Sequence, residues 1–217
     1  MLNIKHKVYD PYLGIGNIND IKDCEVISIN ASYSETGKFP SHRLINSDFI
    51  GGASTKVIIN SARGEIVDEK CILDSDIVYL SDVFQGEPSP NKKVISKCFL
   101  ATPHIAGYSI EAKHNGTLMI LKNFCKTKNL NNELMGLSRA MEIKNIQSLE
   151  DDYTSTGYPV RFFKNLIDVE QISIDFKESF LKKDIPFNTS RNNYALRSCL
   201  LYTSPSPRDV EESRMPS

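Results

Sequence analysis

Apolar residues fall in short dense runs over the first half of the chain and at helical spacing over the second. Residues 25–30 (Glu-Val-Ile-Ser-Ile-Asn), 56–60 (Lys-Val-Ile-Ile-Asn), 76–82 (Asp-Ile-Val-Tyr-Leu-Ser-Asp) and 98–101 (Cys-Phe-Leu-Ala) each predict a strand. Residues 5–10 (Lys-His-Lys-Val-Tyr-Asp) predict another, ending in an acid before Pro11. Runs so nearly continuous suit parallel strands covered on both faces. The polar stretches between them leave room for short crossover helices. Residues 46–50 have a helix-start composition, and residues 67–73 read as a short helix. This alternation predicts an α/β fold, a doubly wound parallel sheet.

From Ser109 the period changes. Ser109 is placed as an N-cap with Glu111 in the first turn. Leu118, Leu121 and Phe124, with Met119 and Ile120 beside them, predict a helix ending near residues 126–128. Residues 129–152 are polar and read as a linker. Within residues 153–198, Leu166, Val169, Ile172, Phe176 and Phe180 recur every three or four positions. Such a stripe serves a core or a partner surface more often than a ligand. Residues 199–217 stand apart. Their start, Cys-Leu-Leu-Tyr-Thr-Ser-Pro-Ser-Pro-Arg-Asp, resembles translated sequencing-adapter read-through, with a disordered Ser/Pro tail as the alternative. Either way it is left out of the fold argument.

Composition changes this picture little. A chain of 217 residues with net charge -1, 40% hydrophobic and 24% charged, is that of an ordinary globular protein. The charge balance argues against general nucleic-acid or membrane-surface binding. No run approaches the roughly 18 apolar residues of a membrane helix, and no secretory leader is visible. Cys24, Cys71, Cys98, Cys125 and Cys199 are widely spaced, without a Cys-x-x-Cys pair. Free thiols in a reducing cytoplasm are expected, and no metal site.

The candidate chemistry lies after three of the predicted strands. Arg63 follows residues 56–60 and precedes a glycine, and its planar guanidinium can grip a carboxylate with two hydrogen bonds. Glu87 follows residues 76–82. His104, between Pro103 and Gly107, follows residues 98–101. An imidazole can take and return a proton near neutral pH, and a carboxylate bonded to it fixes its tautomer and stabilises its protonated form. Strand ends of one polarity form the ligand edge of an open α/β sheet. Taken singly, Arg63 and Glu87 could be solvated surface charges and His104 an ordinary core or surface histidine. The joint arrangement is what points to chemistry.

The order Asn-Ser-Ala-Arg-Gly-Glu-Ile-Val-Asp, Asp-Val-Phe-Gln-Gly-Glu-Pro and Thr-Pro-His-Ile-Ala-Gly-Tyr resembles the signature of the D-2-hydroxyacid dehydrogenases. Within them it is most similar to the 4-phosphoerythronate dehydrogenase branch. The short interval of 17 positions from Glu87 to His104 carries that likeness, with Tyr108 and residues 187–197 (Phe-Asn-Thr-Ser-Arg-Asn-Asn-Tyr-Ala-Leu-Arg). The resemblance covers residues 5–197. It implies a partial Rossmann-type domain over residues 1–108, a helix over 109–128 returning toward a catalytic domain, and a small α+β dimerisation-like unit over 153–198. It implies NAD as cofactor, a phosphorylated hydroxy acid as substrate, a homodimer, a place in pyridoxal 5'-phosphate biosynthesis and a cytoplasmic location.

The resemblance also implies roles. His104 is the general acid/base. Glu87 orients it and favours its protonated form. Arg63 binds the substrate carboxylate and polarises the 2-oxo oxygen. Asp10 holds the adenosine ribose, unless it is simply a turn former before Pro11. Asp82 and Gly107 lie on the nicotinamide side, and Tyr108 contacts substrate. Ala31 stands where the family has a threonine, so any cofactor contact there runs through backbone.

The chain also departs from that pattern. The glycine-rich phosphate turn expected before Asp10 is absent, and Gly14-Ile-Gly16-Asn-Ile-Asn19 follows the acid instead of preceding it. The interval from Arg63 to Asp82 is short. The expectation is a fragment truncated at both ends that binds NAD poorly and turns over little on its own; micromolar NAD binding by isothermal titration would contradict it. Two further readings stay open: a dehydrogenase of another D-2-hydroxy acid, and a non-enzymatic NADH-sensing protein of the same fold.

Overall fold

A computed structural model of the protein describes residues 5–128 and 167–194. Four strands form one parallel sheet in the order β1 (Val26–Ile29), β2 (Val57–Asn60), β3 (Val78–Ser81) and β4 (Leu100–Ala101). Val26 pairs with Val57, Val57 with Val78 and Leu80 with Leu100. Each crossover carries a short helix: α2 (Ser47–Gly51), α3 (Glu69–Leu73) and α4 (Lys92–Lys97). Asn46, Asp68 and Asn91 cap them by accepting from the backbone N–H of Phe49, Lys70 and Lys93. A further short helix, α1 (Ile18–Lys22), precedes β1 and opens on a capping box of Asn17 and Asp20.

The strand order runs one way without reversal. Crossovers of one hand then fall on one face of the sheet. Accordingly Phe49, Ile72, Val94 and Ile95 from the helices join Ile27, Ile29, Ile58, Tyr79 and Ala101 from the strands in a single cluster. The other face is more open, with Val26 53% and Val78 39% exposed. The sequence predicted cover on both faces. The described strands are one half of a doubly wound arrangement, since the second layer of helices requires a reversal of strand order.

Residues 5–10 do not form the predicted strand. Asp10 instead pairs with Ile15 in an isolated antiparallel bridge, closing a turn in which Gly14 and Gly16 both have φ +67°. A Cβ on Gly16 would lie 2.1 Å from the Val8 carbonyl oxygen. These glycines therefore serve the turn, although α1 does follow them.

The segment 167–194 differs from the sequence reading of residues 153–198 as a separate unit. It forms one compact unit with the sheet. Helix α6 (Val169–Lys177) runs into a single wide turn (Glu178–Lys182) and then α7 (Phe187–Asn192). Ser173 Oγ accepts the Ala101 N–H at 2.9 Å, so the edge strand's free donor is used. The Lys177 ammonium donates to the Cys98 carbonyl, and Lys92 pairs with Asp184. Phe176, Phe180 and Phe187 pack ring against ring, with centroids 5.7–6.4 Å apart. Here the predicted stripe is core at Phe176 and Phe180 and half-buried at Val169 and Ile172, while Leu166 lies outside the described residues.

A second unit begins at Gly107. Its described part is helix α5 (Ile110–Thr127), capped as predicted by Ser109, whose hydroxyl accepts the Ala112 N–H. Leu118 and Leu121 are half-buried and Phe124 is exposed. The predicted linker at 129–152 and the tail from Cys199 lie outside the described residues.

Candidate active site

Asn60 closes β2 and is 1% exposed. Its Oδ1 accepts the Ala62 N–H and its Nδ2 donates to the Arg63 carbonyl, which fixes the turn carrying Arg63. The next residue must be glycine. A Cβ on Gly64 would meet the Phe84 carbonyl carbon at 2.1 Å, because the backbone of the following loop crosses there. That contact brings the Arg63 turn against the Glu87 loop. The Arg63 side chain is exposed; its Nη1 donates to the Ala62 carbonyl at 2.7 Å, and it has no carboxylate partner among the described residues.

Asp82 follows β3 and is 6% exposed. Its Oδ1 accepts the Thr102 hydroxyl at 2.6 Å and the Ile105 N–H at 2.7 Å, and its Oδ2 accepts the Ala106 N–H at 2.8 Å. Its backbone carbonyl accepts the His104 N–H at 2.8 Å. Burial pushes the carboxyl above the usual range, and the hydroxyl and two amides that bond it pull the other way. The role implied for Asp82 lay on the cofactor side, yet most of this carboxylate is turned into the histidine loop. By lone-pair count, Oδ2 keeps one acceptor position.

Held this way, His104 sits at φ +56°, a region that side-chain-bearing residues rarely adopt. Its Nδ1 lies 2.7 Å from Glu87 Oε2, and both side chains are largely buried. The other Glu87 oxygen, Oε1, accepts the Phe84 N–H at 2.9 Å. The carboxylate is thus fixed at both oxygens, and the bond to Nδ1 assigns the imidazole proton there, leaving Nε2 as the acceptor. Phe84 in turn packs edge-on against Phe187, centroids 6.2 Å apart. The segment resembling the end of a dimerisation unit therefore buttresses the Glu87 loop.

Of the remaining predicted residues, Ala31 and Asp10 belong to the same unit as the sheet. Ala31 lies half-buried just past β1, on the same sheet edge. Gly107 and Tyr108 open the second unit, where the Lys113 ammonium lies 3.9 Å from the Tyr108 ring centroid. Asp10 stands at no strand end. Its Oδ1 accepts the Tyr12 and Leu13 N–H groups, so the turn reading is what the structure contains.

Sequence reasoning missed the supports. Asn60 and Thr102 stood within the quoted motifs without a role. Glu69 lay unremarked in the predicted short helix of residues 67–73, but it is 4% exposed and its Oε1 accepts the Gln85 N–H at 2.8 Å. Burial raises its pKa to about 7. Burial also raises the Cys71 thiol to about 11 and the Cys98 thiol to about 12, which makes them inert packing groups. No group of three metal-binding side chains occurs among the described residues, and none of their helices is long and apolar enough to cross a membrane.

Residues 19–106 match the family model described as the NAD-binding domain of D-isomer specific 2-hydroxyacid dehydrogenases. Over that stretch the chain is similar to the D-2-hydroxyacid dehydrogenases. The chain is 39% identical over 100 residues to an erythronate-4-phosphate dehydrogenase of Legionella pneumophila, covering 45% of this chain and 29% of that one. Over 203 residues the chain is 27% identical to an enzyme of the same name from Shewanella, covering 89% and 53%. A Coxiella burnetii protein of that name is 29% identical over 184 residues, covering 82% and 48%. The chain thus spans between about three tenths and just over half the length of these relatives. Among solved structures, a D-mandelate dehydrogenase of Rhodotorula graminis aligns with a TM-score of 0.46 at 22% identity, over 52% of this chain and 34% of that one.

Proposed function

We propose that the complete protein carrying this chain is an NAD-dependent dehydrogenase that oxidises 4-phospho-D-erythronate at its 2-hydroxyl to the 2-oxo acid. The observation that carries the reading is the Glu87–His104 pair, 2.7 Å apart, at the edge of the sheet where Arg63 also emerges. His104 Nε2 takes the proton of the 2-hydroxyl. Glu87, already bonded to Nδ1, stabilises the imidazolium that forms. In the reverse direction the same proton returns to the 2-oxo oxygen. Arg63 binds the substrate carboxylate through its two-pronged guanidinium and polarises the oxygen under reaction.

NAD supplies the two-electron oxidant. Asp82 would take its amide end, since by lone-pair count Oδ2 retains one acceptor position. Ala31 and Gly107 lend backbone to the cofactor side, and Tyr108 serves the substrate. Asp10 is assigned to its turn. The choice of the phosphorylated acid, with a place in pyridoxal 5'-phosphate synthesis in the cytoplasm, is supported by the names of the relatives. Assembly as a homodimer is part of the same reading, and light scattering on the purified protein tests it.

The decisive assay follows NADH formation with 4-phosphoerythronate, D-lactate and D-glycerate in parallel. Preference for the phosphorylated acid is expected. Preference for another acid would replace the substrate and keep the chemistry. No turnover of any of them, with NADH still bound, would favour a sensing role.

A further inference from the structure

Two adjacent peptide groups form the base of the Glu87 loop, and each N–H is held by a different carboxyl. The Phe84 N–H goes to Glu87 itself at 2.9 Å, and the Gln85 N–H goes to Glu69 at 2.8 Å. Glu69 reaches up from the first turn of α3, a crossover helix whose other inward residues, Cys71 and Ile72, are buried in the core. The same backbone presses on Gly64 from above, so the loop cannot settle towards the Arg63 turn. Glu69 supplies the pull and Gly64 the stop.

We propose that Glu69 is a positioning residue for the Glu87–His104 pair: it grips the Gln85 amide from inside the core and so sets the height at which Glu87 meets His104. The inference rests on the proposed role of that pair. The group is expensive to keep there. Its nearest charged neighbours are Glu65 from the turn after Arg63, Asp68 at the head of α3 and Glu87 from the loop above, all acids. Tyr79 of β3 and Cys98 at the end of α4 face it as well. No cation offsets it among these neighbours. A glutamine would accept the same amide with no charge to bury. The carboxylate makes the stronger, charge-assisted bond to the Gln85 amide, so ionisation of Glu69 tightens the loop locally while its buried charge costs the fold as a whole. Its pKa of about 7 puts that change near neutral pH.

The test observes His104 directly and needs neither substrate nor cofactor, so failure of the dehydrogenase assay would leave it standing. The readout is the downfield Nδ1–H proton resonance of His104 and its exchange rate with water, followed by NMR from pH 5.5 to 8.5. In the wild-type chain the exchange rate is expected to show an inflection near pH 7 and to slow above it. In Glu69→Ala exchange should accelerate at least tenfold across the range. In Glu69→Gln the resonance should return, with exchange within about threefold of wild type at pH 6 and no inflection near 7. If the alanine variant does not fold, the glutamine variant carries the test alone. An inflection that persists in Glu69→Gln, or exchange in Glu69→Ala equal to wild type, would overturn the proposal.

Discussion

The arginine turn and the histidine loop leave the same edge of the same sheet, and both backbones are fixed by one buried polar side chain at a strand end. Asn60 does this for Arg63 and Asp82 for His104. The side chains they present differ. His104 is held by Glu87, which is itself held by the Phe84 amide, whereas the exposed Arg63 guanidinium touches only its own turn. In the proposed reaction the imidazole is the base, and proton transfer tolerates little error in its placement. A long cation that closes on a carboxylate needs its root fixed and its tip free.

Four substitutions would break or sharpen that contrast. The largest effect belongs to His104→Ala in the complete protein: kcat should fall by roughly 10²–10⁴ while the fold stays intact. A loss below tenfold in steady-state NADH formation would remove His104 from acid/base work. Next is Asp82→Ala, which strands the Ile105 and Ala106 amides and the Thr102 hydroxyl. It should cost roughly 2–4 kcal/mol in urea unfolding. A cost under about 0.5 kcal/mol would show that the loop does not depend on this anchor.

Glu69 gives a smaller, pH-dependent effect. Its folded pKa of about 7 lies above the ordinary 4.5. Between those values the folded chain keeps a proton that the unfolded chain has released. Its stabilising contribution is therefore fully present below pH 4.5 and is lost as pH rises through about 7. The loss should be about 1–3 kcal/mol, and Glu69→Gln should flatten it. An unchanged slope in urea midpoints against pH would contradict the burial argument. The smallest effect is Arg63→Ala, expected to alter stability by less than about 0.5 kcal/mol because the exposed guanidinium braces nothing else. It should raise KM far more than it alters folding.

Most of the sheet was legible in the sequence because each buried strand is a dense β-branched run bounded by polar residues. The exception, residues 5–10, carries Val8 and Tyr9 but ends in Asp10, whose carboxylate bonds Tyr12 and Leu13 and turns the chain back. Among the described residues the helices cover one face of the sheet; apolar runs do not reveal which, because the order of strands decides where crossovers fall. Residues 187–197 were matched to a dimerisation unit by likeness alone. Phe187 packs on Phe84, a tertiary contact that no local period encodes. The residues proposed to react were visible through their motifs, which also contain Asn60 and Thr102, but the supporting roles of those two and of Glu69 were not. A supporting residue is defined by the amide it meets across the fold, and that partner is distant in sequence.

The central claim is that Glu87 and His104 work as one device, and a double-mutant cycle on kcat/KM in the complete protein tests it most directly. Glu87→Gln alone should cost about 10–10²-fold, and His104→Ala alone about 10²–10⁴-fold. Combined with His104→Ala, the glutamine substitution should cost no more than about twofold further, because there is no imidazole left to orient. Losses that multiply in the double variant would show that the two residues act independently, and would contradict the account.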